Sequence, residues 1–204
     1  MTDYEEQDKS IIGVSTAGPS MNRVGKILIA NPSLPRQNPF HKSVIYIYQD
    51  NQQVGTQGVV LNKPTLNTVQ QLCFDHEIMF PDDGPIVHLG GPVNPSAMVL
   101  LHTDDWYSQN TVSAGSGYCV SSDKTMFVKM ATGNCPVYWR LCIGMSGWAV
   151  NQLEMEIQGN FPYTKAHQWL TAEANDAILF EYDGEEQWMK AMELSGQQMF
   201  DQYI

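Results

Sequence analysis

Positive charge is scarce in this chain. Its 204 residues carry 11 Lys and Arg against 22 Asp and Glu, a formal net charge of −11. The basic residues are scattered, with no run or stripe, so the charge footprint of a nucleic-acid-binding protein is absent and direct DNA binding is disfavoured. Long apolar runs are also missing. The longest, such as ILIA and AMVLL, are far too short to span a bilayer. The opening MTDYEEQDKS is acidic and polar, unlike a signal peptide, so a cytoplasmic location is the expectation. Cysteine is sparse. Cys73, Cys119, Cys135 and Cys142 include no C-x-x-C pair, which points to reduced, mostly buried thiols rather than disulfides. Cys73 and His76 are spaced to meet on a helix. His88, His102 and Cys119 supply no second pair of that spacing, so no metal and no cofactor is expected.

What is present is an ordinary apolar share, 43%, on a chain long enough for one domain with a substantial core. Residues 1–21 are rich in acids, Ser, Gly and Pro and read as an acidic, flexible N-terminal tail. Residues 22–204 read as the folded domain. KILIA is a short strand stopped by the prolines of NPSLP. SVIYIYQ alternates, with Val44, Tyr46 and Tyr48 on one side and Ile45 and Ile47 on the other. GTQGVVLNKP follows closely enough to form a hairpin with it. TLNTVQQLCF reads as a helix begun at Thr65 or Asn67, with Leu66, Val69, Leu72 and Cys73 on one stripe. IVHLGGPV and AMVLLH read as two strands around a tight Gly-Gly-Pro turn. SSDKTMFVKMATG is a helix capped by Ser122 or Asp123 and closed by Gly133. PVYWRLCIG and DAILFEY read as strands, and EEQWMKAMELSG as a final helix ending at Gly196. This irregular alternation predicts an α+β domain around a mixed, twisted sheet.

The stretch GMSGWAVNQLEMEI, residues 144–157, raises the question of a catalytic carboxylate pair. In a helix, Glu154 and Glu156 lie about 160° apart and cannot converge on one substrate or metal. The pattern instead reads as a glycine turn followed by a helix. Asn151 is its N-cap, Glu154 the distal member of a capping box, Leu153 and Ile157 its buried face, and Gly159 its end. GMSG lacks the second glycine of a G-x-S-x-G nucleophile elbow, so Ser146 is assigned to the turn. Trp148, Trp169 and Trp188 are expected in the core, and His102 as a packed, hydrogen-bonded residue.

The same stretch resembles the G-[YF]-A-G-W-x-x-G-Q-L-E-x-E-[IL] signature of the YqgE/AlgH family. GKILIANPSL with FHKSVIYI is similar to that family's G-x-L-L-[IV]-A-x-P and F-x-[RK]-[ST]-V segments. GVVLNKP is similar to its G-[LV]-[VI]-[LV]-N-[RK]-P, and HLGGPV followed by AMVLLH to its Gly-Gly-Pro segment. The resemblance runs from about Gly25 to Gly196. Ser146 stands where the pattern has Ala and Asn151 where it has Gly, and the 159–169 connection is longer. The resemblance implies a single α+β domain with a barrel-like, bifurcated sheet and flanking helices, and a label of transcriptional regulator. It carries no reaction and no catalytic residues.

Three functions are therefore weighed. The leading expectation is a soluble, non-enzymatic regulatory or adaptor protein acting through a protein partner. The second is a small-ligand site, or an enzyme site, near the Gly-Gly-Pro turn and the Trp148 turn. The third is direct DNA binding, which the charge opposes. Candidate ligand- or partner-binding residues are Asn62, Lys63, Gly90, Gly91, Trp148, Gln152 and Glu154. No catalytic residue is assigned. A deep polar pocket at these motifs would favour the second function and a flat apolar patch the first.

Overall fold

The computed structural model describes residues 22–75, 77–81, 83–115, 117–160 and 168–201. The expected tail at 1–21, His76, and residues 161–167 of the long connection lie outside them.

Two apolar runs anchor the sheet. β1 (Lys26–Ala30) and β2 (Val44–Asn51) pair antiparallel, with Ile27 opposite Tyr46 and Ile29 opposite Val44. Ile27, Ile29, Val44 and Tyr46 face one apolar cluster, while Leu28, Ala30, Ile45 and Ile47 face another. The two-residue period read in SVIYIYQ is thus a strand covered on both faces. The expected hairpin is present: β3 (Gly55–Val60) returns along β2. Asn51 Oδ1 holds the turn by accepting from the amides of Gln53 and Val54.

The centre of the molecule is β9 (Trp139–Trp148). The later part of β9 pairs with β3, Ser146 opposite Gly58 and Trp148 opposite Thr56. Its earlier part runs parallel to β5 (Ile86–Leu89), Cys142 opposite His88. Both partners use the same edge, so the sheet forks there. Gly90 sits in the fork. Its amide donates to Ile143 O at 2.7 Å and its carbonyl accepts from Val60 N at 2.8 Å. The opposite edge of β9 holds β6 (Val93–Thr103), followed outward by β8 (Tyr118–Ser121) and β7 (Val112–Ser113). At the far side, β10 (Trp169–Glu173) extends β1. The whole is an α+β domain with a curled, barrel-like, bifurcated mixed sheet and flanking helices, as expected.

The Gly-Gly-Pro segment is not a tight turn between neighbouring strands. It carries the chain from one edge of β9, at Leu89, to the other, at Val93. A Cβ on Gly90 would lie 2.3 Å from Gly144 O, and one on Gly144 would lie 2.4 Å from Gly91 O. Only bare backbone permits this crossing. For the same reason GMSG is not a turn. It is the part of β9 over which the chain passes, with Gly144 at φ +73° and Ser146 Oγ donating to Gly90 O.

The helices cover the two faces. Residues expected as the first helix begin instead as β4 (Pro64–Thr68), which pairs with β5 and leaves Leu66 99% exposed. Helix α1 (Val69–Asp75) starts only after a reciprocal cap between Thr68 and Gln71, a T-x-x-Q capping box beyond both expected starts, Thr65 and Asn67. Helix α2 (Lys124–Ala131) is capped by Asp123, whose carboxylate accepts from Met126 N at 3.1 Å. Helix α3 (Gln152–Gln158) ends at Gly159 in the left-handed region, as expected. Its start differs. Asn151 is itself left-handed at φ 63°, makes no side-chain cap, and Gln152 Oε1 instead accepts from Ala149 N. A residue forced to positive φ explains why the family pattern has glycine there.

DAILFEY is not a strand but a π-helical turn (Ala177–Glu181) that buries Ile178 and Leu179. Asn175 Oδ1 accepts from Ile178 N and sets its start. A four-residue apolar run has no period that separates strand from buried helix. Helix α4 (Gly184–Asp201) runs past Gly196, because Gln198 pairs with the backbone of Glu173 and keeps its last turns against β10. Trp188 locks α4 to the sheet by donating to Ala30 O at 2.8 Å. No described helix is long and apolar enough to cross a membrane.

Candidate functional site

An open cavity of about 520 Å³ lies where the loop between β1 and β2, the connection from β3 to β4 and the start of α4 meet. Its lining residues are Arg36, His41, Lys42, Asn62, Lys63, Gly184 and Glu185. Asn62 is the structural pin. Its Oδ1 accepts from Val44 N, and its Nδ2 donates to the carbonyls of Lys42 and Gly184, all at 2.8–2.9 Å. One buried amide therefore ties together the three segments that make the cavity.

The charge here inverts that of the chain. Three cations, Arg36, Lys42 and Lys63, face one carboxylate, Glu185, a formal surplus of two positive charges before His41 is counted. Lys42 Nζ pairs with Glu185 and lies 5.4 Å from the centre of the Trp188 ring. Lys63 Nζ donates to His41 O at 2.7 Å. Burial, then the neighbouring charge of Lys42, push the Lys63 amine below the usual lysine range, with Glu185 opposing. The Glu185 carboxyl is held low by its hydrogen bond from Lys42 and by the charges of Lys42, His41 and Arg36.

Beneath the cavity is a buried polar layer. Arg140, on β9, donates to the carbonyls of Leu61 and Tyr182 and to Gln187 Oε1. His88 Nε2 lies 2.9 Å from Asp183 Oδ2, the shorter of its two polar contacts, and donates there. Burial and Arg140 lower the His88 pKa, with Asp183 opposing, so the ring is neutral near pH 7. Asp183 O accepts from Gln187 N and begins α4. The layer fixes the start of α4, and with it Gly184 and Glu185.

Of the residues singled out in the sequence, the cavity gathers only Asn62 and Lys63. Gly90 and Gly91 form the crossing over β9 and do not line the cavity. Trp148, Gln152 and Glu154 lie at a separate place, around α3. There the carboxylate that matters is Glu156. Its Oε2 accepts from Trp148 Nε1 at 3.1 Å and from Trp169 Nε1 at 2.9 Å, while Gln152 Nε2 donates to Oε1. Glu154 points elsewhere and pairs with Arg23, so it is an ion-pair partner and not a member of a capping box. The two acids diverge, as helical geometry required.

Arg36, His41, Lys42, Gly184 and Glu185 were missed. Lys42 and Lys63 nevertheless occupy the two [RK] positions of the F-x-[RK]-[ST]-V and N-[RK]-P patterns, a signal available in the sequence. Ser146 is fully buried, and His102 is buried between Thr103 O and Ser121 Oγ. Trp148, Trp169 and Trp188 are core residues. Cys73, Cys119 and Cys142 are buried and Cys135 is exposed. Among the described residues, no three His, Cys, Asp or Glu side chains converge.

Residues 27–200 match a family model described as AlgH-like. A UPF0301 protein of Hydrogenovibrio crunogenus is 33% identical over 83% of this chain and 87% of its own length. A UPF0301 protein of Pasteurella multocida is 32% identical over 83% and 89%. Among solved structures, the AlgH protein of Pseudomonas aeruginosa is similar with a TM-score of 0.69 and 26% identity, covering 88% of this chain and 92% of that one. A Corynebacterium diphtheriae protein shares the fold at a TM-score of 0.64 and 21% identity, covering 84% and 86%.

Proposed function

The chain belongs to the AlgH-like family, and from that premise we propose that it is a non-catalytic regulatory protein that binds a small anionic ligand in the cavity at Asn62 and Lys63. The observation that carries this reading is the surplus of positive charge there, on a chain whose net charge is −11. Cations are normally paired when desolvated, and Lys63 is crowded by a like charge with, among the described residues, one carboxylate, Glu185, lining the cavity. A bound anion would complete the set. The floor is also held in place before any ligand arrives, by Asn62 and Arg140, which lowers the ordering cost of binding.

The test is thermal melting of the wild type and of Lys63→Met with a panel of small anions. At 100 times its Kd, a ligand stabilises the folded state by about 2.7 kcal/mol. A rise in Tm for the wild type, lost in Lys63→Met, is expected. If no anion raises the Tm at millimolar concentration, the reading fails.

A second reading, contact with a protein partner, draws support from Leu66, Phe74, Met79 and Ile86, which the β4–α1–β5 unit turns to solvent. A photoreactive side chain placed at Leu66, crosslinked in cell extract, tests it. Absence of any specific adduct removes it.

A further inference from the structure

The cavity already contains an anion of its own. Glu185 stands in the first turn of α4, lines the cavity and is paired with Lys42. The charges that favour its ionised form are those a ligand would meet, namely Lys42, His41 and Arg36. Its side chain is 60% exposed, so it can swing into solvent without breaking the core. Lys63, by contrast, donates to a backbone carbonyl, and among the described residues no carboxylate is hydrogen-bonded to its amine.

We propose that Glu185 is an internal counter-ion that selects the ligand, and that the ligand carries a phosphoryl group. This rests on the anion-binding reading above. A monocarboxylate entering the cavity would only reproduce the Lys42–Glu185 pair, exchanging one singly charged acceptor for another. A phosphoryl group brings a charge of about −1.5 to −2 and three acceptor oxygens. Those oxygens match three donors of different shape: the Arg36 fork, the Lys42 ammonium and the Lys63 amine. Such a group can neutralise Lys63 and displace Glu185 from Lys42 together. Glu185 thus sets a threshold that phosphate-class anions pass and simple carboxylates do not. The cavity, at about 520 Å³, also leaves room for an organic remainder beyond the phosphoryl group.

The experiment is calorimetric titration of the full chain and of Glu185→Gln, at a pH above the second pKa of phosphate. The titrants are inorganic phosphate, glycerol phosphate and acetate. The wild type is expected to bind the two phosphates and not acetate. Glu185→Gln is expected to bind phosphate about tenfold more tightly, and to bind acetate measurably, because the internal competitor is gone. Glu185→Ala guards against a specific effect of the glutamine and should behave alike. Tighter binding of the ester identifies an organic monoester as the ligand class. Tighter binding of inorganic phosphate identifies free phosphate. If anions bind but neither Glu185 variant changes affinity or selectivity, the counter-ion inference is overturned and the anion reading stands. If neither protein binds any of the three, both are overturned.

Discussion

Replacing Glu156 by leucine should be costly, by an amount that its contacts set. The carboxylate is buried and receives two indole N–H groups, from Trp148 and Trp169, on a single oxygen. Leucine fills a similar volume but leaves both donors unpaired in a region lined by Leu34, Leu153 and Phe40. Each buried donor left without a partner costs about 1–3 kcal/mol, so two give roughly 2–6 kcal/mol. Removing a buried charge returns part of its desolvation cost, which places the expected loss at about 2–4 kcal/mol. Glu156→Gln keeps one carbonyl oxygen for the indoles and should cost only about 1 kcal/mol. Urea melts followed by tryptophan emission measure both, since the reporters are the residues in question. The expected result is a lower midpoint for the leucine variant at unchanged m. If the leucine and glutamine variants are equally stable, the indole–carboxylate contacts do not hold α3 on the sheet.

Four further outcomes follow from the same structure. Asn151→Gly should leave stability unchanged or raise it by up to about 1 kcal/mol, and Asn151→Ala should lower it by about 1 kcal/mol, because the position is left-handed; chemical denaturation ranks the three. Gly90→Ala should cost above about 4 kcal/mol or prevent folding, since its Cβ would meet Gly144 O; yield and circular dichroism report it. Stability should fall as pH drops below 6.5, the ordinary histidine value, because burial holds His88 and His102 neutral in the folded chain while the unfolded chain takes up protons; a flat profile from pH 7 to pH 5 would contradict this. The isolated chain should not bind duplex DNA saturably at low salt, given its net charge of −11; gel-shift titration against random and genomic duplexes checks it.

The elements with strong periodicity were readable in the sequence. The alternation of SVIYIYQ, the Asp123 cap and the Gly159 stop are local signals, and each matches its structure. The failures share a cause: tertiary contacts overrode local pattern. Leu66 fits a helical stripe, yet Pro64 and Thr65 are drawn into pairing with β5. GMSG has the composition of a turn, but its small residues serve to let another segment cross. Glu154 was favoured over Glu156 by the capping pattern, while burial between two tryptophans, invisible along the chain, made Glu156 the anchored acid. The cavity was half legible. Asn62 and Lys63 stand in a short motif, but Arg36, His41, Lys42 and Glu185 arrive from two distant segments joined only by folding.

The account turns on Lys63 as an incompletely neutralised cation in an anion site. Titrating the chain with carbon-labelled lysine side chains, by NMR, with and without inorganic phosphate, tests this at the atom concerned. Lys63 is predicted to lose its proton below the ordinary lysine range in the free protein, and to move back up when phosphate binds, because an added negative charge favours the ammonium form. A Lys63 amine that titrates in the ordinary lysine range and ignores phosphate would contradict the account.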